Sequence, residues 1–135
     1  MIQRIQSVWL LLAATCAFLS FKLPFYSGPN ALVPFHELNA SENTLLTITT
    51  VVVGILAGGI IFLYKNRTAQ LRLCVLGIVL EALLIFLYYR ELSNFTGGTY
   101  SLWALLHSVI VILFVLAAKG INKDEKLIKD SDRLR

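Results

Sequence analysis

Proline is confined to one stretch of this sequence. Pro24, Pro29 and Pro34 are the three prolines, and each removes a backbone donor and crowds the preceding turn, so the stretch cannot be one continuous helix. Charge is scarce: 15% of the 135 residues are Asp, Glu, Lys or Arg and 57% are hydrophobic, whereas soluble domains are about 25% charged. The apolar residues come in long blocks, which excludes an ordinary soluble domain and indicates an integral membrane protein. The two cysteines, Cys16 and Cys74, lie in apolar blocks at different depths; that excludes a disulfide framework and leaves them as small hydrophobes. The two histidines, His36 and His107, have no zinc spacing and sit at different depths, so neither a metal site nor a bis-histidine haem is assigned. No glycine-rich strand-to-helix junction and no serine–histidine–acid motif is present. No catalytic residue or cofactor follows, and the chain is not read as an enzyme. The net charge of +4 is no nucleic-acid signal, because no basic patch is interleaved with aromatics.

Four apolar blocks are present, at about residues 5–21, 44–64, 71–89 and 101–118. Each is of the order needed to span a bilayer as a helix. A basic start followed by an apolar stretch also fits a signal peptide, and Cys16 after Ala13-Ala14-Thr15 fits a lipoprotein signal, but the block length and Thr15 argue for a retained span. The sequence predicts an all-α, four-helix transmembrane bundle. Residues 1–118 form its membrane domain and 119–135 a charged tail. Residues 22–43 form an irregular or hairpin-like outer loop, with Ser27-Gly28-Pro29-Asn30 as a turn between extended pieces at 23–26 and 31–35.

Topology follows from the basic residues. Arg4, Lys65, Arg67, Arg72, Lys119, Lys123, Lys126, Lys129, Arg133 and Arg135 fall on one side of such a bundle, and Lys22 and Arg90 on the other. Ten against two is a strong positive-inside bias, so both termini are expected in the cytoplasm. Close helix packing is expected at Gly54, Gly58 and Gly77, where small residues let a neighbouring backbone approach.

The third block, LRLCVLGIVLEALLIFLYY, carries Glu81 near its centre. Such an acid costs at least about 2.5 kcal/mol on insertion scales and faces protein or a water-filled cavity. Cys74, Gly77, Glu81, Leu84 and Tyr88 share one stripe of that helix. Helical rise puts Glu81 roughly 15 Å from the inner end of its span and His107 roughly 10 Å from the outer end of the fourth. In a core of about 30 Å their depths differ by about 5 Å, so Glu81 and His107 are a candidate contact. The structural reading is an acid that is protonated or shares a proton and ties the bundle together; the functional one is a proton relay or an ion or ligand site.

The tail, KGINKDEKLIKDSDRLR, holds six basic and four acidic residues. It reads either as a solvated helical extension or as a docking site for a partner or for anionic headgroups. The candidate docking face comprises Arg4, Lys65, Arg67, Arg72, Lys123, Asp124, Glu125, Lys126, Arg133 and Arg135, and the tail could fold back onto the basic turn.

MIQRIQSVWLLLAA, FLYKNRTAQLRLC and KGINKDEKLIKDSDRLR together resemble a domain-of-unknown-function family of small four-span bacterial membrane proteins. The resemblance implies a bacterial inner membrane and no activity. The leading functional reading is an accessory, assembly or scaffold protein acting through its cytoplasmic face and tail, with a membrane or cytoplasmic protein partner. The alternative is a small transporter or proton- or ion-conducting protein, working as a homo-oligomer through Glu81 and His107. A membrane enzyme or a quinone- or lipid-binding subunit is third.

Overall fold

The computed structural model describes residues 2–134, with side chains from Ile5 onward. Four helices account for most of the chain: α1 (Ile2–Leu19), α2 (Thr44–Phe62), α3 (Arg67–Glu91) and α4 (Leu105–Arg133). Three of them, α2, α3 and α4, are long and apolar enough to cross a membrane; α1 is apolar but shorter. The helices pack in a closed ring, α1 against α2 and α4, and α3 against the same two. The start of α1 and the end of α4 lie at one end of this bundle, here the terminal end; the other is the cap end.

The helices are longer and shorter than the apolar blocks for local reasons. Asn43 caps α2 by accepting from Leu45 N at 3.1 Å, and Asn66 caps α3 by accepting from Ala69 N at 3.1 Å; side-chain caps of this kind satisfy amide donors that lack helical partners. The cap at Asn66 starts α3 four residues before the apolar block does. At the other extreme, α4 continues through Lys119 to Arg133 without a break, because charged residues end hydrocarbon burial but not helix propagation.

One repeat organises the interior. The buried residues of α1 are Gln6, Leu10, Ala13 and Ala17, with Ala14 beside them, and Ser20 just past its end continues the series; those of α3 are Gln70, Cys74, Gly77, Glu81, Leu84 and Tyr88. On α2 the series is Leu46, Thr50, Val53, Ala57 and Ile60, and on α4 it is His107, Ile110, Phe114, Ala117, Ile121 and Asp124. Every series advances by alternating steps of three and four residues, the spacing of a coiled-coil seam. The outward faces are apolar too, with Leu11, Ile55, Phe62, Val79 and Phe86 all exposed. That is the surface a lipid environment accommodates, and in lipid such helices associate by close packing rather than by hiding apolar area from water.

Glycine serves this packing at two positions. A Cβ on Gly77 would come within 2.7 Å of the Phe114 ring, and one on Gly54 within 2.8 Å of the Phe18 ring. Gly58 is different: a Cβ there would meet nothing within 4 Å. It lies one residue off the seam, which passes through Ala57, so the close approach expected at Gly58 is made by Ala57 and Gly54. Gly120, deep in α4, supplies a close approach the sequence reading did not assign: a Cβ there would sit 2.9 Å from Gln6 Cγ.

The cap end is closed by a three-stranded antiparallel sheet of order β2-β1-β3, with β1 at Tyr26–Gly28, β2 at His36–Leu38 and β3 at Thr99–Tyr100. Tyr26 pairs with Leu38 on one side and Tyr100 on the other. The loop between α1 and α2 is thus a hairpin, but its turn lies at Asn30–Val33, where the two residues exchange backbone bonds of 2.9 and 3.3 Å. Ser27 and Gly28, part of the expected turn, are in β1 instead. The strand ends at Pro29, which has no amide to donate, and Gly28 is where the α3–α4 loop crosses, a Cβ there falling 2.3 Å from Gly97 O. Gly98 takes a φ of +130°, a conformation suited to glycine.

Candidate functional site

Glu81 and His107 stand opposite each other on the seams of α3 and α4. Glu81 is fully buried and His107 is 3% exposed, and His107 Nδ1 lies 2.6 Å from Glu81 Oε1. The imidazole donates if the carboxylate is ionised and accepts if the carboxyl carries the proton. The surroundings are aromatic: the Tyr88 and Phe25 ring centres lie 4.9 and 5.7 Å from that of His107. Phe25 and Tyr88 stack at 4.4 Å with an interplanar angle of 11°, and Tyr100 meets Phe25 edge-on at 6.2 Å. Phe25 belongs to the cap and is fixed from both sides, its amide donating to Leu38 O at 2.7 Å and its carbonyl accepting from Ser101 N at 3.1 Å.

Two polar atoms at this site lack a hydrogen-bond partner among the described residues: Glu81 Oε2 and the Tyr88 hydroxyl, both buried. Each such atom costs about 1–3 kcal/mol of desolvation. Thr50, buried on α2, is satisfied within its own helix by donating to Leu46 O at 2.7 Å.

A second buried polar cluster lies at the terminal end. Gln6 Nε2 donates to Asp124 Oδ2 at 2.9 Å, joining α1 to α4, and Arg67 Nη1 reaches Asp124 O at 3.4 Å from the start of α3. Gln70 Nε2 donates to Ile60 O at 2.9 Å, capping the carbonyl end of α2. Sequence reasoning assigned no role to Gln6 or Gln70; the signal was their position, since both continue the three-and-four spacing of the seams.

The candidate docking residues divide. Lys65, Arg72, Lys123, Lys126 and Arg133 are exposed. Arg72 borders a surface recess of about 470 Å³ with Asn66, Thr68, Ala69 and Leu73. Glu125 is half-buried and pairs with Lys129 at 2.9 Å. Asp124 is not on that face: it is 8% exposed and points into the bundle, because its seam position turns it toward Gln6. The tail does not fold back either; through Arg133 it continues α4 without a break. The Arg4 side chain and Arg135 lie outside the described residues. Among those described, no cluster of three metal-ligating side chains occurs.

Compared with curated proteins and with solved structures, the chain finds no match. A family model does match residues 2–134, almost the whole chain, and by that match the protein belongs to the family described as Domain of unknown function (DUF4293).

Proposed function

We propose that this protein is a small inner-membrane scaffold whose α4 end recruits a cytoplasmic protein segment. Four crossings with both termini inside fit the ten-to-two distribution of basic residues. The observation that carries the reading is the unbroken run of α4 past the bundle. Asp124 is the last buried residue of that helix, and residues 125–133 project beyond it by roughly 13 Å at helical rise. The Gln6 and Arg67 contacts to Asp124 fix the direction of the projection.

The projecting turns continue the seam beyond the last buried residue of α4. Leu127 and Ile128 flank the line that runs through Ile121 and Asp124, and both are about half exposed. Lys126, Lys129, Asp130, Asp132 and Arg133 surround them with both signs of charge. An apolar stripe with a mixed charged rim suits an amphipathic helix of another protein. Bare anionic headgroups would need a less acidic surface.

Tagged full-length protein purified from its native membrane in mild detergent tests the reading. One stoichiometric partner should co-purify, and it should be lost both on truncation after Asp124 and in the Leu127→Asp/Ile128→Asp double variant. A monomer or homo-oligomer that is the same in all three preparations overturns it.

A further inference from the structure

We propose that Glu81, His107 and Tyr88 form an occluded proton-binding site, plugged on the cap side by Phe25. The contact of 2.6 Å between His107 Nδ1 and Glu81 Oε1 must contain a hydrogen, so the pair carries either one such proton and a net charge of −1, or two and a net charge of zero. A single charge in a buried apolar setting is strongly disfavoured. The second proton therefore removes the uncompensated charge, and its gain or loss is the event the site is built around.

The two unpartnered atoms place the rest of the site. Glu81 Oε2 is the free oxygen of the pair, and the Tyr88 hydroxyl is the unpaired donor on the same seam two turns away. The Tyr88 ring lies against His107, so all three polar side chains belong to one buried cluster. Its titratable surroundings are sparse. Ser20, just past the end of α1, and Thr50 on α2 are buried and carry hydroxyls only; α3 adds Cys74 two turns below Glu81, and among the described residues α4 adds no other buried ionisable group before Asp124 at the far end. In the cap, Tyr100 touches Phe25, while His36 pairs with Glu42 at 3.0 Å and Glu91 accepts from Asn43 and Asn94. None of these is hydrogen-bonded to Glu81, His107 or Tyr88 among the described residues.

Phe25 makes the site occluded. Its ring stacks on Tyr88 and borders His107, and the bonds that hold it are sheet-like backbone bonds to Leu38 and Ser101. Proton exchange with water on the cap side then follows opening of the sheet, a local event separable from global unfolding.

Infrared spectroscopy of the full chain in lipid nanodiscs tests this. A protonated-carboxyl band should be present, should vanish in Glu81→Gln and should shift in Tyr88→Phe. Its deuterium exchange should be about tenfold faster or more in Phe25→Ala, as removal of a local barrier gives, and Phe25→Leu should fall between if the alanine variant fails to fold. Circular dichroism confirms helicity in each variant. The proposal is overturned if no band is lost in Glu81→Gln at any pH where the protein keeps its helices, or if folded Phe25 variants exchange at the wild-type rate.

Discussion

Two buried acids sit at different depths of the bundle, Asp124 at the terminal end and Glu81 in the cap half, and they are held differently. Asp124 is held by a neutral amide and its main-chain carbonyl by a guanidinium, at the rim where the helices leave the apolar zone. Neither of its carboxyl oxygens is among the buried atoms without a partner. Glu81 sits among apolar and aromatic side chains, bonded through one oxygen to an imidazole and through the other to nothing described. The third unpartnered atom, Asn39 Oδ1, also lies in the cap half. The terminal end is thus a satisfied joint that aims α4, while the cap half tolerates unpaired polar atoms. A bundle selected for stability alone would replace the Glu81–His107 pair by apolar residues, since such swaps are often neutral or stabilising.

Replacement of one partner in each pair gives the largest contrast. His107→Leu leaves Glu81 buried and unpaired and should lower stability by about 3–5 kcal/mol, whereas the double variant with Glu81→Leu should recover most of the loss. Denaturant unfolding in detergent micelles measures both. If the double variant is as unstable as the single one, the pair contributes more than mutual compensation. The matching change at the terminal end, Asp124→Leu, should cost less, about 1–3 kcal/mol, because Gln6 can turn to water at the rim and Arg67 keeps its bond to the main-chain carbonyl of residue 124.

The two kinds of glycine sharpen the same division between seam and surface. Gly77→Ala forces a methyl against Phe114 and Leu56 and should destabilise by about 1–3 kcal/mol, as overpacking does. Gly58→Ala meets open space and should be neutral or stabilising by up to about 1 kcal/mol, the helix propensity difference. Melting temperatures of the two variants, recorded side by side, separate the cases; equal losses would mean that Gly58 is also at an interface.

Much of this architecture was legible before any coordinates. The positions of the four helices follow from apolar blocks and from three clustered prolines, and the matching depths of Glu81 and His107 follow from counting residues inward from charged ends. Rotation about each helix was less accessible. The stripe through Glu81 and Tyr88 is visible in the third block alone, but the seams of α1 and α4 emerge only when Gln6 and Asp124 are accepted as interior residues, and hydropathy argues against both. The expectation of close packing at both Gly54 and Gly58 failed at Gly58 for the same reason: a four-residue step drifts off a seam of period 3.5, so Gly54 is buried and Gly58 is not. The place of Phe25 depends on β3, two residues long and some seventy positions away, and no local signal specifies so distant a pairing.

The smallest predicted effect belongs to the projecting turns of α4. Lys129 bonds Glu125 at 2.9 Å one helical turn away, and it is largely exposed while Glu125 is half-buried. Exposed pairs of this spacing are worth about 0.3–0.5 kcal/mol and are screened by salt. Lys129→Ala should therefore change the unfolding midpoint only slightly at low salt and not at all at high salt. The same substitution should reduce partner recovery if the charged rim around Leu127 and Ile128 is read by the partner, and that loss should also fade as salt rises. A change in stability comparable to that of Asp124→Leu would mean instead that the projecting turns help hold the bundle together, and the distinction between a satisfied joint and a projecting end would fail.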